Sequence, residues 1–122
     1  MNVTPMRCAR SARYKYILNL SPKNEYTTHM DRAKDHDGGR EYWDSWEQRG
    51  KEDTVAAAIL RRYHWRPPEE LYDTALDPYE VHNLINEPRY GTIGRELKAR
   101  LTEWREQQGD VETGPRPVPG RK

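Results

Sequence analysis

The segment RYKYILNL, residues 13–20, alternates strictly. Tyr14, Tyr16, Leu18 and Leu20 fall on one face, and Lys15, Ile17 and Asn19 on the other. Successive side chains of a strand point to opposite faces, so this period of two, rich in Tyr and Ile, predicts a β-strand. The preceding TPMRCAR is short and compatible with an extended chain, and Pro5 favours an edge or a strand start. Ser11 and Ala12 between the two runs suit a tight connection. The expectation is a strand pair over residues 5–20.

Residues 21–40 hold Pro, Asn, Asp and two Gly without periodicity and read as a long loop. From Glu41 to Tyr63 the pattern is helical. Tyr42, Trp43 and Trp46 share one side, Gly50 is a stop, and Val55, Ile59, Leu60 and Tyr63 recur at helical spacing in an alanine-rich run. Pro67 and Pro68 break that helix. EELYD is then a short strand, with Leu71 and Trp65 facing inward. Ile93, Leu97, Leu101 and Trp104 make one apolar stripe, which predicts a closing helix over 89–108 ended by Gly109. The proline- and glycine-rich remainder, 109–122, is expected to be a disordered tail.

A chain of 122 residues suits one domain. Its apolar share is 34%, against roughly 45–50% in globular domains, so a self-sufficient core is hard to build. There is no Phe, but there are eight Tyr and four Trp. Rings with a polar handle suit surfaces that are dry at one end and wet at the other, as in a domain that leans on a larger partner. The net charge of +1 leaves no electrostatic footprint for nucleic acid or an anionic membrane. One cysteine, Cys8, excludes an internal disulfide. No run has the length of a signal-peptide core or a membrane span, and no compartment follows from the sequence.

The densest polar stretch is EELYDTALDPYEVHNLINEP, residues 69–88. Asp77, Pro78 and Glu80 fit the start of a short helix: an acid at the N-cap, proline at the first position, an acid at the third. Tyr79, Leu84 and Ile85 would form its packing side, and Asn83 and Asn86 its end. Asp73 reads as a turn-forming residue after the strand. These acids are therefore structural rather than catalytic. His29, His36, His64 and His82 lack metal-ligand spacing, and Cys8 has no histidine beside it in sequence. Arg7, Arg10, Arg13, Arg61, Arg62 and Arg66 could grip sulfate or carboxylate, but individually they read as solvated charges.

Two of these stretches, TPMRCARSARYKYILNL and ELYDTALDPYEVHNLINEPRY, resemble the C-terminal domain of sulfatases, and among them the heparan N-sulfatase type. The signature positions are Arg13, Tyr14, Lys15 and Tyr16 in the first, and Leu71, Tyr72, Asp73, Asp77, Pro78, Glu80, Asn83 and Leu84 in the second. The resemblance implies an α+β fold: a small antiparallel sheet of about four strands under a C-terminal amphipathic helix, docked on a large catalytic domain. It also implies that Ca²⁺ and the formylglycine nucleophile, made from a C-x-P-S-R or S-x-P-S-R segment, belong to that other domain. Cys8 is followed by Ala9-Arg10-Ser11, so no catalytic residue, metal or cofactor transfers to this chain.

The expected function is the supporting C-terminal part of a sulfatase, inactive alone and partnered by a catalytic domain in cis or as a separate chain. The loop from Asn24 to Arg40 could line the substrate pocket of the assembled enzyme, with His29 and Glu25 touching sugar hydroxyls. The rival reading is a free-standing module that holds sulfated glycans or a protein through its arginines and aromatic rings.

Overall fold

The computed structural model describes residues 4–32 and 40–112. The elements in chain order are β1 (Met6–Arg10), β2 (Tyr14–Asn19), α1 (His29–Arg32), α2 (Arg40–Gly50), α3 (Thr54–His64), β3 (Glu69–Asp73), a 3₁₀ turn (Pro88–Tyr90) and α4 (Gly91–Gln107). The class is α+β, with a three-stranded antiparallel sheet and a C-terminal helix. The chain forms two compact units. One is built on α1, α2 and α3 within Pro22–Arg66, and the other on the three strands and α4.

In the sheet unit the order is β1-β2-β3, with Ala9 opposite Tyr16 and Tyr16 opposite Leu71. The Tyr14/Tyr16/Leu18 face meets α4, and Tyr16, Leu71, Leu97 and Leu101 are its buried core. The α4 stripe stops short of the expectation: Trp104, its last expected member, is half exposed. Gly109, at φ 68°, ends the helix. Its N–H bonds Glu106 O, and the next N–H, of Asp110, bonds Arg105 O. This paired closure satisfies carbonyls that the last turn leaves open. Order continues beyond the expected boundary at 109, because Asp110 accepts from Arg7 at 2.6 Å and Arg105 at 3.0 Å. The rest of the expected tail, 113–122, lies outside the described residues.

About four strands are expected, and among the described residues three form. The second edge of β3 shows what replaces the fourth. The alternation of the ladder, fixed by Asn19 N–H on Pro68 O, turns Glu69, Leu71 and Asp73 outward. The Leu71 N–H donates to Asn83 Oδ1 at 2.9 Å, and the Leu84 N–H donates to Leu71 O at 2.8 Å. Asn83 Nδ2 donates to Glu69 O, and the Asp77 N–H to Asp73 O. A folded-back turn therefore seals the edge, its Asn side chain standing in for a strand's peptide group. The opposite edge differs. Leu20 N–H on Pro5 O and Ser11 N–H on Tyr14 O set the β1–β2 alternation, which turns the backbone groups of Met6, Cys8 and Arg10 away from β2. Arg7 donates to the Met6 carbonyl on that side.

The helix expected after Asp77 does not form. Residues 74–82 are turns, and Glu80 sits at φ 54°. Asp77 still caps, but it takes the N–H groups of Val81 and His82 rather than those of a first helical turn. Glu80 reaches Lys15 at 3.0 Å instead of returning to a cap. Tyr79 is exposed, while Leu84 and Ile85 pack on the core.

In the helical unit, α3 starts at Asp53, whose carboxylate accepts from the N–H groups of Val55 and Ala56 and is held below its usual pKa by them. The apolar faces depart from the expectation. Of Tyr42, Trp43 and Trp46, only Trp43 is buried, and α3 turns Ala56 inward while Val55 and Ile59 are exposed. The C-terminal end of α2 comes so close to α3 that a Cβ on Gly50 would lie 2.8 Å from Leu60 Cδ1. Trp65 is also exposed rather than inward. Within the expected loop 21–40, α1 forms at His29–Arg32, and residues 33–39, with His36, lie outside the described residues. Among the described residues, no helix is long and apolar enough to cross a membrane.

Candidate functional site

Two clusters of chemically capable side chains arise, one in each unit. In the sheet unit, the signature residues come together as pairs. Arg13, at the β1–β2 turn, grips the Asp73 carboxylate through Nε and Nη2 at 2.6–3.0 Å. Asp73 is buried, and its Oδ1 also accepts from the N–H groups of Ala75 and Leu76. Arg13, helped by those two N–H groups, holds this carboxyl below its ordinary range. The Arg13 carbonyl accepts in turn from the Thr74 N–H. Tyr16 donates its hydroxyl to Glu69, which also pairs with Lys98. Lys98 first, and then Tyr16, keep Glu69 low, while burial pushes the Tyr16 phenol up.

The remaining signature positions are equally committed. Tyr14 packs edge-on to Tyr90 at 6.3 Å, and Tyr72 donates to Glu70 at 2.6 Å. Glu70 also accepts from Asn19 at 2.7 Å. Pro78 occupies the exposed turn after Asp77. This cluster is a clamp that fixes the turn after β3, and its acids and cations already hold one another. Cys8 has its thiol pushed up by partial burial, which keeps it protonated and a poor nucleophile. Among the described residues, no group of three or more His, Cys, Asp or Glu is placed to hold a metal ion, and Cys8 lies in C-A-R-S rather than in a C-x-P-S-R segment.

In the helical unit, the loop after β2 folds back on the end of α3. The Tyr26 N–H donates to His64 O at 2.8 Å, and His64 Nδ1 lies 2.9 Å from Tyr26 O. A carbonyl can only accept, so Nδ1 carries the proton. Two carboxylates flank the same nitrogen, Glu25 at 3.4 Å and Asp31 at 3.5 Å. Thr28 joins Tyr63 through their hydroxyls at 2.6 Å, and its N–H donates to Asp31 Oδ1. Arg40 donates to the Asp31 carbonyl. The rings of Trp43 and Tyr63 stand edge-on to the imidazole at 5.4 and 5.2 Å. Arg66 lies 4.2 Å over the Tyr26 ring.

Of the two loop residues singled out in the sequence, Glu25 enters this cluster, shared between Arg32 at 3.0 Å and His64. His29 opens α1. The sequence gives no reason to prefer His64 over the other histidines, because its partners lie 33–39 residues away along the chain.

Comparison with known proteins finds the chain similar to sulfatases. Two ulvan-active sulfatases of Formosa agariphila are each 29% identical over 109 residues. Those matches span 89% and 86% of this chain, but only 19% and 17% of the sulfatases. The human N-sulphoglucosamine sulphohydrolase is 37% identical over 51 residues, 42% of this chain and 10% of that enzyme. The chain thus spans less than a fifth of the length of these relatives. No protein-family model matches it.

Proposed function

We propose that the chain is the C-terminal supporting part of a sulfatase, most like the N-sulfoglucosamine sulfohydrolase type, and inactive alone. The observation that carries this reading is the state of the shared motif. Its Arg, Asp, Glu and Asn side chains are consumed in building the clamp and the sealed edge of β3, so they support a scaffold rather than a reaction. The similarity to sulfatases covers most of this chain and a small part of each relative, as a supporting segment would. The partner in this reading is a sulfatase catalytic domain that brings its own calcium ion and formylglycine. The loop bearing Glu25 and His29 then borders the substrate, and a sulfated glycan is an indirect ligand.

The test is an assay of the purified chain on an aryl sulfate and on an N-sulfated glucosamine, with calcium supplied. The expected result is no turnover above a heat-inactivated control, and measurable turnover overturns the reading. The expected genomic setting is an adjoining coding sequence with the C-x-P-S-R or S-x-P-S-R segment. Without one, the independent glycan- or protein-binding module takes precedence.

A further inference from the structure

We propose that Arg66, Tyr26 and His64 form a subsite for a sulfated sugar, with the Arg66 guanidinium on the sulfate and His64 Nε2 bonded to a ring hydroxyl. The inference rests on the sulfatase reading and adds a ligand contact to it. Its geometry begins where α3 ends. Trp65 is extended, at φ −126° and ψ 109°, and ends the helix between His64 and Arg66. Both of these residues meet Tyr26, His64 at its carbonyl and Arg66 over its ring.

Each of the two has its position fixed and a functional edge left over. The cation–π contact at 4.2 Å holds the Arg66 guanidinium over the Tyr26 ring, and its N–H fork matches the oxygens of a sulfate. Among the described residues, Arg66 pairs with no carboxylate. The bonds and ion pairs of His64 are all made through Nδ1, and the ring is steadied by Trp43 and Tyr63. That leaves Nε2 for a sugar hydroxyl, which can donate or accept, on a side chain that remains 22% exposed. Glu25 and Asp31 crowd the Nδ1 side, where a sulfate would be repelled. That assigns the anion to Arg66 and the hydroxyl to His64.

The test is an NMR titration of the isotope-labelled chain with three probes: N-sulfoglucosamine, N-acetylglucosamine and inorganic sulfate. N-sulfoglucosamine is expected to move both the Arg66 Nε–H and the His64 ring signals, and inorganic sulfate only those of Arg66. N-acetylglucosamine is expected to move the His64 ring alone, with weaker binding. Arg66→Gln should weaken N-sulfoglucosamine by about tenfold or more, as loss of a bidentate charged contact does. In His64→Asn the amide nitrogen takes the place of Nδ1 and still donates to Tyr26, so the spectrum keeps its dispersion. This variant should bind N-sulfoglucosamine several-fold more weakly and sulfate as the parent does. The subsite is overturned if N-sulfoglucosamine moves neither residue, or if both variants bind it like the parent. Such a failure leaves the sulfatase reading standing, because that reading is decided by turnover and gene context.

Discussion

Removing the Asn83 side chain should cost far more stability than its half-buried position suggests. In Asn83→Ala, the Leu71 N–H loses its acceptor at 2.9 Å, Ile85 N–H loses the same oxygen at 3.1 Å, and the Glu69 carbonyl loses its donor. Leu71 is wholly buried, so its N–H cannot turn to water. A buried donor left without a partner costs about 1–3 kcal/mol, and ordinary net hydrogen bonds are each worth about 1 kcal/mol. The sum for this variant is about 3–5 kcal/mol, a large share of the roughly 5–15 kcal/mol that holds a domain together. Asn83→Asp keeps both acceptor bonds and loses only the donor, so its cost should be the smaller. Urea unfolding measures the difference in midpoint at constant slope. Amide exchange at Leu71 should quicken in the Ala variant and stay slow in the Asp variant. A parent-like midpoint for Asn83→Ala, with Leu71 still protected, would refute the account of the sealed edge.

Leu97→Ala, deep between Tyr16, Leu71 and Leu101, should lose about 3 kcal/mol in the same urea assay. Two glycines, one within α4 and one just past its end, should respond in opposite directions. A Cβ at Gly94 meets Ile85 and Leu71 at an ordinary 3.7 Å, so Gly94→Ala should raise thermal stability by roughly 0.5–1 kcal/mol; at Gly109, φ 68° makes Gly109→Ala destabilising by about 1 kcal/mol. Asp73, Glu69 and Asp110 all have pKa values depressed by folding. Their contribution is therefore complete above the ordinary carboxylate range and is lost as pH falls through and below it. Unfolding midpoints measured from pH 7 downward should drop, and the drop should be shallower in Arg13→Gln, which lacks the main cause of the Asp73 shift.

The parts of the fold legible in the sequence are those where one residue type repeats at one period. The alternation of Tyr14, Tyr16 and Leu18 gave β2 and its buried face, and the steps from Ile93 to Leu101 gave α4. The helical unit was legible as helices but only partly as faces: Trp43, Leu60 and Tyr63 do lie at the contact of α2 with α3, but Gly50 and Ala56 lie there too. Small residues carry little hydrophobic signal, so Val55 and Ile59 drew attention to the wrong side. The expected helix after Asp77 rested on sound capping chemistry. It lost to tertiary bonds that local pattern does not encode, Lys15 to Glu80 and Asn83 to Leu71. The Arg66–Tyr26–His64 arrangement has no sequence signature at all, since 38 residues separate Tyr26 from His64.

The two margins of the small sheet have opposite prospects for a chain kept at high concentration. The β3 side is closed by its own turn and cannot accept another strand. The β1 side presents the backbone of Met6, Cys8 and Arg10, with side chains that are exposed. The Met6 carbonyl there is already taken by Arg7, so strand addition at the other backbone groups of β1 should govern colloidal behaviour. Within that strand Arg7 is already held by Asp110 and Glu112, so Arg10 sets the electrostatic barrier to such accretion. Salt that screens it lowers that barrier, which makes ionic strength the variable to control when the chain is concentrated.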